Sequence, residues 1–325
     1  MLVYIIRRCL QSVIVLAVMS LLVFLSVHAI GNPIDVLISA DADQAERARV
    51  IAAFGLDQPL WLQYGLFIKN ALMGDLGRSF VYSTPALGLI LERLPATLEL
   101  ALAAIFLTIV IGLPLGLLAG FRPRGAVNNL IMSLSALGFS LPTFWVGLMM
   151  IMFFGVQLGW LPTGGRGTTT TLFGIGFGVF NWDGLKHLLL PAINLALFNI
   201  AFMIRLTRAG AQEALLQDYV RFARAKGLSP SRIIGVHVLK NILIPIVTVV
   251  GMQFGSIMAF SIVTESIFAW PGVGKLLIDS IRVLDRPVLV AFLSLIAVMF
   301  ILINLIVDVL YSLLDPRVRF SAAKS

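Results

Sequence analysis

Within WPGVGKLL (residues 270–277), Gly274 and Lys275 stand where a phosphate-binding loop would place its Gly-Lys pair. Such a loop, G-x-x-x-x-G-K-[ST], cradles phosphates with backbone N–H groups and sets a hydroxyl beside the lysine for magnesium. Ala269 and Leu276 occupy the positions of the first glycine and the hydroxyl, so this stretch is not expected to bind nucleotide. The three histidines, His28, His187 and His237, are far apart and make no local metal motif. One cysteine, Cys9, excludes a disulfide framework and any cysteine-rich metal or iron–sulfur site. No His, Asp and Glu cluster at catalytic spacing, so catalysis is not expected of this chain.

The remaining chemistry-bearing residues lie in or beside apolar runs. Glu99 falls about one turn inside such a run, where the positive end of a helix and nearby water lower the cost of a carboxylate, and a structural placement is expected. Asn304 and Asp308 are four apart on one helical face; interhelical bonding comes first, a place on a translocation path second. Asn194 and Asn199, with Gln253 and Ser256, could line a polar path or bond helix to helix equally well.

These residues are held by a chain that is 59% hydrophobic and 12% charged, with a mean hydropathy of +0.99. A soluble core cannot bury that much apolar surface, so an all-α integral membrane protein is expected. The net charge of +8 would suggest nucleic acid in a soluble domain, but the cations sit between greasy segments. Membrane topology and contact with lipid explain them better, and no nucleic-acid partner is expected.

Six stretches are long enough to cross about 30 Å of hydrocarbon: 9–30, 96–120, 129–154, 187–207, 241–264 and 288–314. Most Lys and Arg lie before the first, in 121–128, in 205–240 and after 314, which puts both termini and the 208–240 loop in the cytoplasm. The chain then reads as an anchor span (1–30), an extracytoplasmic helical segment (31–93), a five-span core (94–314) and a cytoplasmic tail (315–325). Residues 41–57 carry a capping-box pattern at Asp43 and Glu46, with Gly55 placed to end the helix. A second helix is expected where Leu60, Tyr64, Phe67 and Ala71 recur at helical spacing. Residues 155–187 are rich in Gly and Thr and promise no firm structure beyond Trp160 and Trp182 at an interface. Pro114, Pro142 and Pro191 mark kinks.

Six cations gather around DYVRFARAKGLSPSRIIGVHVLK (218–240) and at Arg208 just upstream. Ala211 to Lys226 suits a helix, with Tyr219, Phe222, Ala223 and Lys226 on one side and Arg221, Arg224 and Leu228 toward the other. Gly227 is fit to close it in the left-handed conformation; Ser229 is a fitting N-cap and Pro230 a fitting first residue for the next helix. Ala223, Ala225 and Gly227 offer a surface that a partner's groove could approach closely, with the arginines pairing to acidic groups. A basic helix lying on anionic lipid, or the positive-inside signal by itself, satisfies the same residues.

The stretch YVRFARAKGLSPSRIIGVHVLKNILIP closely resembles the cytoplasmic loop of permease subunits of binding-protein-dependent ABC importers, in their dipeptide/oligopeptide/nickel branch. That loop follows E-A-A-x-x-x-G with I-x-L-P further on. Ala223 and Gly227 match, Arg221 and Phe222 replace Glu and Ala, and HVLK (237–240) stands in place of I-x-L-P, as in the peptide branch's own version. The resemblance covers nearly the whole chain, through FGLDQPLWLQY (54–64), GDLGRSF (74–80), RLPATLEL (93–100), SLPTFWVG (140–147), GWLPTGG (159–165), HLLLPA (187–192), ESIFAWPGVGKLL (265–277) and LLDPRVR (313–319).

What the resemblance implies is a six-span, type I ABC importer permease of the bacterial or archaeal cytoplasmic membrane, whose coupling helix over Tyr219–Ser229 seats in an ATPase. It further implies a second homologous permease, two ATPases that bind ATP and magnesium, an extracytoplasmic binding protein, and no cofactor on this chain; the turn that carries Glu265 and Lys275 is either a contact for that binding protein or purely structural. Peptide is the expected cargo, with nickel complexes or glutathione as alternatives inside the family and a stand-alone secondary transporter as the alternative outside it.

Overall fold

The computed structural model describes residues 2–29, 44–45 and 57–314. Contacts divide the chain into two compact units, Met1–Leu94 with Gly272–Leu302, and Pro95–Pro271 with Ile303–Ser325. The expected helix around Asp43, Glu46 and Gly55 lies outside the described residues.

In the first unit, α1 (Leu2–Ala29) meets α2 (Leu60–Leu72). The helical spacing read over 60–71 holds: Tyr64 and Phe67 pack on the buried Phe24 with ring centroids 5.4 and 6.0 Å away, and the Tyr64 hydroxyl lies 2.8 Å from Ser20 Oγ. The tight turn 79–83 is fastened by the buried Asp285, whose carboxylate accepts from Ser79 Oγ and from the Phe80 N–H at 3.1 Å. Asp285 sits between α10 (Val273–Arg282) and α11 (Arg286–Leu314).

The second unit is built on α3 (Ala86–Phe121), continued from the first unit, and α6 (Trp182–Leu215). Pro114 cannot donate to the carbonyl four residues back, and α3 widens into a π turn over Thr108–Gly112 just before it. The chain then presents Gly112, Gly116 and Gly120, four residues apart, to Met203, Thr207 and Ala211 of α6. A Cβ on each glycine would lie 2.7, 2.6 and 2.7 Å from the facing side chains' Cβ atoms. Such a small-residue stripe lets two backbones approach where lipid supplies no hydrophobic drive between helices.

The stretch 129–154 is not one straight span. It divides into α4 (Ala126–Ser140) and α5 (Thr143–Gln157), bent by 104°. Leu141 is extended because the ring of Pro142 disfavours helical geometry in the residue before it. Residues 155–187 also depart from expectation: β1 (Thr170–Leu172) and β2 (Ile175–Phe177) pair antiparallel around Phe173 and Gly174, both at positive φ, and α6 begins at Trp182. That is a two-residue hairpin turn of the kind that matches strand twist. Asn181 caps α6, its side chain accepting from Asp183 N–H at 2.9 Å.

Beyond α6 come α7 (Asp218–Ala225), the short α8 (Pro230–Arg232), a wide turn (Ile233–Val238) and α9 (Leu239–Ile267). Among the described residues four helical segments are long and apolar enough to cross a membrane: Ala86–Phe121, Trp182–Leu215, Pro245–Ile267 and Arg286–Ile306. The α4–α5 pair makes a fifth if it is one span, and α1 contributes a shorter apolar helix, Val13–Leu25.

Candidate functional site

The helix expected from Ala211 to Lys226 is interrupted. α6 runs to Leu215, the chain turns at Leu216 and Gln217, and α7 starts at Asp218. No Gly or Pro forces the break; packing does. Ala211, Ala214, Val220 and Ala223 all enter one buried cluster with Ile233, Val238, Ile242 and Ile246. On one straight helix Val220 would point about 120° away from Ala214, so the turn is what brings both inside.

α7 closes as the glycine predicts. Gly227 has φ +72, its N–H donates to Arg224 O at 2.9 Å, and the Leu228 N–H donates to Ala223 O at 3.2 Å. This pair of bonds is a Schellman motif, and it satisfies two carbonyls the helix end would leave bare. Pro230 is the first residue of α8, and Ser229 has N-cap backbone geometry. Its hydroxyl makes no capping bond, however, and lies 3.2 Å from Ser231 Oγ.

The face assignment needs correction. Val220 and Ala223 are the buried residues of α7, while Phe222 is 68% exposed and Tyr219 is exposed beside it. Ala223 is small so that α7 can lie against its own bundle, not so that a partner can approach. The outward surface consists of Tyr219, Arg221, Phe222, Arg224, Ala225, Lys226 and Gly227, with Leu228 half-buried at its edge. Arg221 faces Asp218 along the helix at 3.4 Å, leaving an exposed aromatic flanked by cations.

The two residues expected at an outer contact differ in burial. Glu265, in the last turn of α9, is entirely buried and accepts from Thr97 Oγ1 at 2.7 Å, so it presents no surface to a partner. Apolar cover over this turn explains it: Phe268 and Trp270 are buried, and the Trp270 indole N–H donates to Ala96 O at 2.9 Å. Lys275 is half-buried in the first turn of α10 and pairs with Asp279 at 2.9 Å. Gly274 and Lys275 therefore lie within a helix, not in a phosphate-cradling loop.

The polar residues of the spans do not form one lining. Asn194, wholly buried, donates to Thr264 Oγ1 at 3.2 Å and so ties α6 to α9; its Oδ1 has no partner among the described residues. Asn199 donates to Leu195 O of its own helix, and Ser256 Oγ donates to Gln253 O. Asn304 is half-buried on α11; Asp308 is on the same helix with its side chain outside the described residues. Among the described residues no three His, Cys, Asp or Glu side chains gather to hold a metal ion.

Sequence reasoning missed Arg166. Its guanidinium grips Glu99 through Nε at 2.9 Å and Nη2 at 2.6 Å, and Nη2 also donates to Gly176 O. Glu99 Oε1 accepts the Val179 N–H at 2.6 Å, and the guanidinium lies 5.9 Å over the Trp270 ring. The pair is 15% and 3% exposed, and it locks the hairpin segment to α3. The only signal in the sequence is a cation, rare in this chain, directly after GWLPTGG in a Gly and Thr run.

Comparison with known proteins matches residues 112–320 to the family described as the binding-protein-dependent transport system inner membrane component, and residues 1–101 to its N-terminal counterpart. The chain is 40% identical over 319 residues to the oligopeptide transport system permease protein AppB of Bacillus subtilis, covering 98% of this chain and 99% of that protein. It is 40% identical to the di/tripeptide permease protein DppB of Pseudomonas aeruginosa, over 92% and 94% of the two chains. With the glutathione permease protein GsiC of Escherichia coli O6:H1 it shares 39% identity over 98% and 100%. A chain of the inward-facing MetNI methionine ABC transporter superposes with a TM-score of 0.53 at 18% identity, over 70% of this chain and 96% of that one, so the type I importer fold is shared. With both halves matched, full-length relatives at 40% identity and a shared helical fold, this chain belongs to the family of inner-membrane permease components of binding-protein-dependent transport systems, a multi-pass, non-catalytic subunit.

Proposed function

We propose that this chain forms one half of a peptide pathway, with six spans and both termini in the cytoplasm, beside a second homologous permease. Two ATPase subunits would bind ATP and magnesium, and an extracytoplasmic binding protein would deliver cargo. Peptide is favoured because relatives matched along nearly their whole length are named for oligopeptides, di/tripeptides and glutathione.

The carrying observation is α7 itself: a short helix closed by a Schellman turn, packed by Val220 and Ala223, and offering Phe222 with Arg224 and Lys226 outward. An aromatic ringed by cations suits an acidic-rimmed apolar groove on an ATPase. Closure of the ATPases would push α7 and, through the cluster it shares with α6 and α9, turn the spans as rigid bodies.

The test is purification of the complex from its own membrane with the double substitution Phe222→Asp and Arg224→Glu. Membrane insertion and pairing with the second permease are expected to persist, while the ATPases no longer co-purify and ATP-driven peptide uptake in proteoliposomes is lost. Unchanged ATPase retention would sink the coupling role of this face.

A further inference from the structure

On the second unit, a trough of about 860 Å³ runs between α3, the hairpin and the start of α6. Its lining is apolar except for Glu99, whose carboxylate is already held by Arg166 and the Val179 N–H. Nothing polar is left there for a hydrophilic ligand, and an apolar hollow of this kind is poorly filled by water. Leu102 and Phe106 of α3 and Leu189 of α6 stand along it 57%, 65% and 42% exposed, on helices of membrane-spanning length. The trough therefore opens at the depth of lipid tails.

One end carries different chemistry. Trp182, 72% exposed at the start of α6, has Lys186 Nζ 5.8 Å from its ring centroid. Among the described residues Lys186 makes no ion pair. Tryptophan and lysine one turn apart at a span's end are where headgroups lie; Asp183, the carboxylate that Lys186 acts on, is also engaged by the Thr168 N–H at 2.8 Å and His187 at 3.6 Å, which leaves the ammonium able to meet a phosphodiester. On the helix surface Leu185 is three residues from Trp182 and Leu189 three from Lys186, and both leucines line the trough, so the cation stands beside its mouth.

We propose that the trough is a phospholipid site, with one acyl chain between α3, the hairpin and α6, and the phosphate on Lys186 beside Trp182. A cation at one end of an apolar hollow is the two-ended chemistry of a phospholipid. A transmembrane helix from another chain would fill the hollow but bring no phosphate to the ammonium. The site does not depend on how α7 couples to an ATPase.

The probe is phosphatidylglycerol with a photoreactive group on one acyl chain, reconstituted with the purified complex and irradiated; labelled peptides are mapped by mass spectrometry. Labelling is expected to concentrate on the 102–106 and 185–189 peptides, well above that on Leu130 and Leu134, which are exposed on α4. Ala103→Trp, which fills the trough, should cut the trough labelling severalfold and leave α4 unchanged. Lys186→Glu, which spares the apolar walls, should lower labelling by phosphatidylglycerol more than by an analogue with a neutral sugar headgroup. Labelling no stronger than at Leu130 and Leu134, or indifferent to both substitutions, would mean ordinary surrounding lipid and overturn the site. A trough that stays unlabelled while Leu102, replaced by a photoreactive residue, crosslinks to a partner polypeptide would assign it to a protein interface instead.

Discussion

Gly116→Val prevents α3 from docking on α6. A Cβ at this position would sit 2.6 Å from Thr207 Cβ and 2.8 Å from the carbonyl oxygen of Ile204. Backbone cannot rotate out of the way, so the helices must part along the whole stripe that includes Gly112 and Gly120. Overpacking costs about 1–3 kcal/mol, and more where backbone is the obstacle, so in detergent the variant is expected to melt well below the parent. Gly65→Val on α2, where a Cβ would meet nothing within 4 Å, is the matched control. It should shift stability by less than about 1 kcal/mol, since valine is no worse than glycine in a helix. A melting temperature for Gly116→Val within a degree or two of the parent would show that α3 and α6 do not rely on this approach.

Arg166→Met leaves Glu99 buried and charged without its partner. Removing one member of a buried ion pair costs about 3–5 kcal/mol, most of it the unpaired charge left behind. The effect should be local: the 165–181 segment, held by Arg166 to both Glu99 and Gly176 O, becomes the first site of protease cleavage. Adding Glu99→Gln should restore most of the protection, because the amide oxygen can still accept the Val179 N–H while no charge remains to be matched. Cleavage of Arg166→Met no faster than the parent's would mean that the pair does not hold the hairpin, and equal fast cleavage in the single and double variants would assign the effect to the lost tether rather than to the bare charge.

Several parts of this architecture can be read in the residues themselves. The apolar stretches are long enough to specify helices, the positive φ of Gly227 follows from a glycine set between a helical run and Ser-Pro, and Tyr64 and Phe67 lie on the inner face of α2 because their spacing is helical. Each rests on local geometry, which sequence spacing encodes directly. The bend at Leu141 was legible in the same way as a proline kink, though not its 104° extent.

Whatever depends on which distant residue arrives opposite belongs to the tertiary structure. Ala223 reads equally well as a docking residue or as a packing residue until Ile233 and Val238 are seen beside Val220 in the same buried cluster. Glu265 and Glu99 are both carboxylates near the ends of apolar runs. One is enclosed with Thr97 beneath a buried tryptophan, and the other is neutralised by an arginine 67 residues away. The sequence by itself determined that this is a helical membrane protein of the importer permease family, and that a helix ends at Gly227. Only the tertiary structure decided which face of that helix is free and which charges are already spent on holding the fold. Helical periodicity is carried by neighbours along the chain, while burial and ion pairing are set by groups that folding alone brings together.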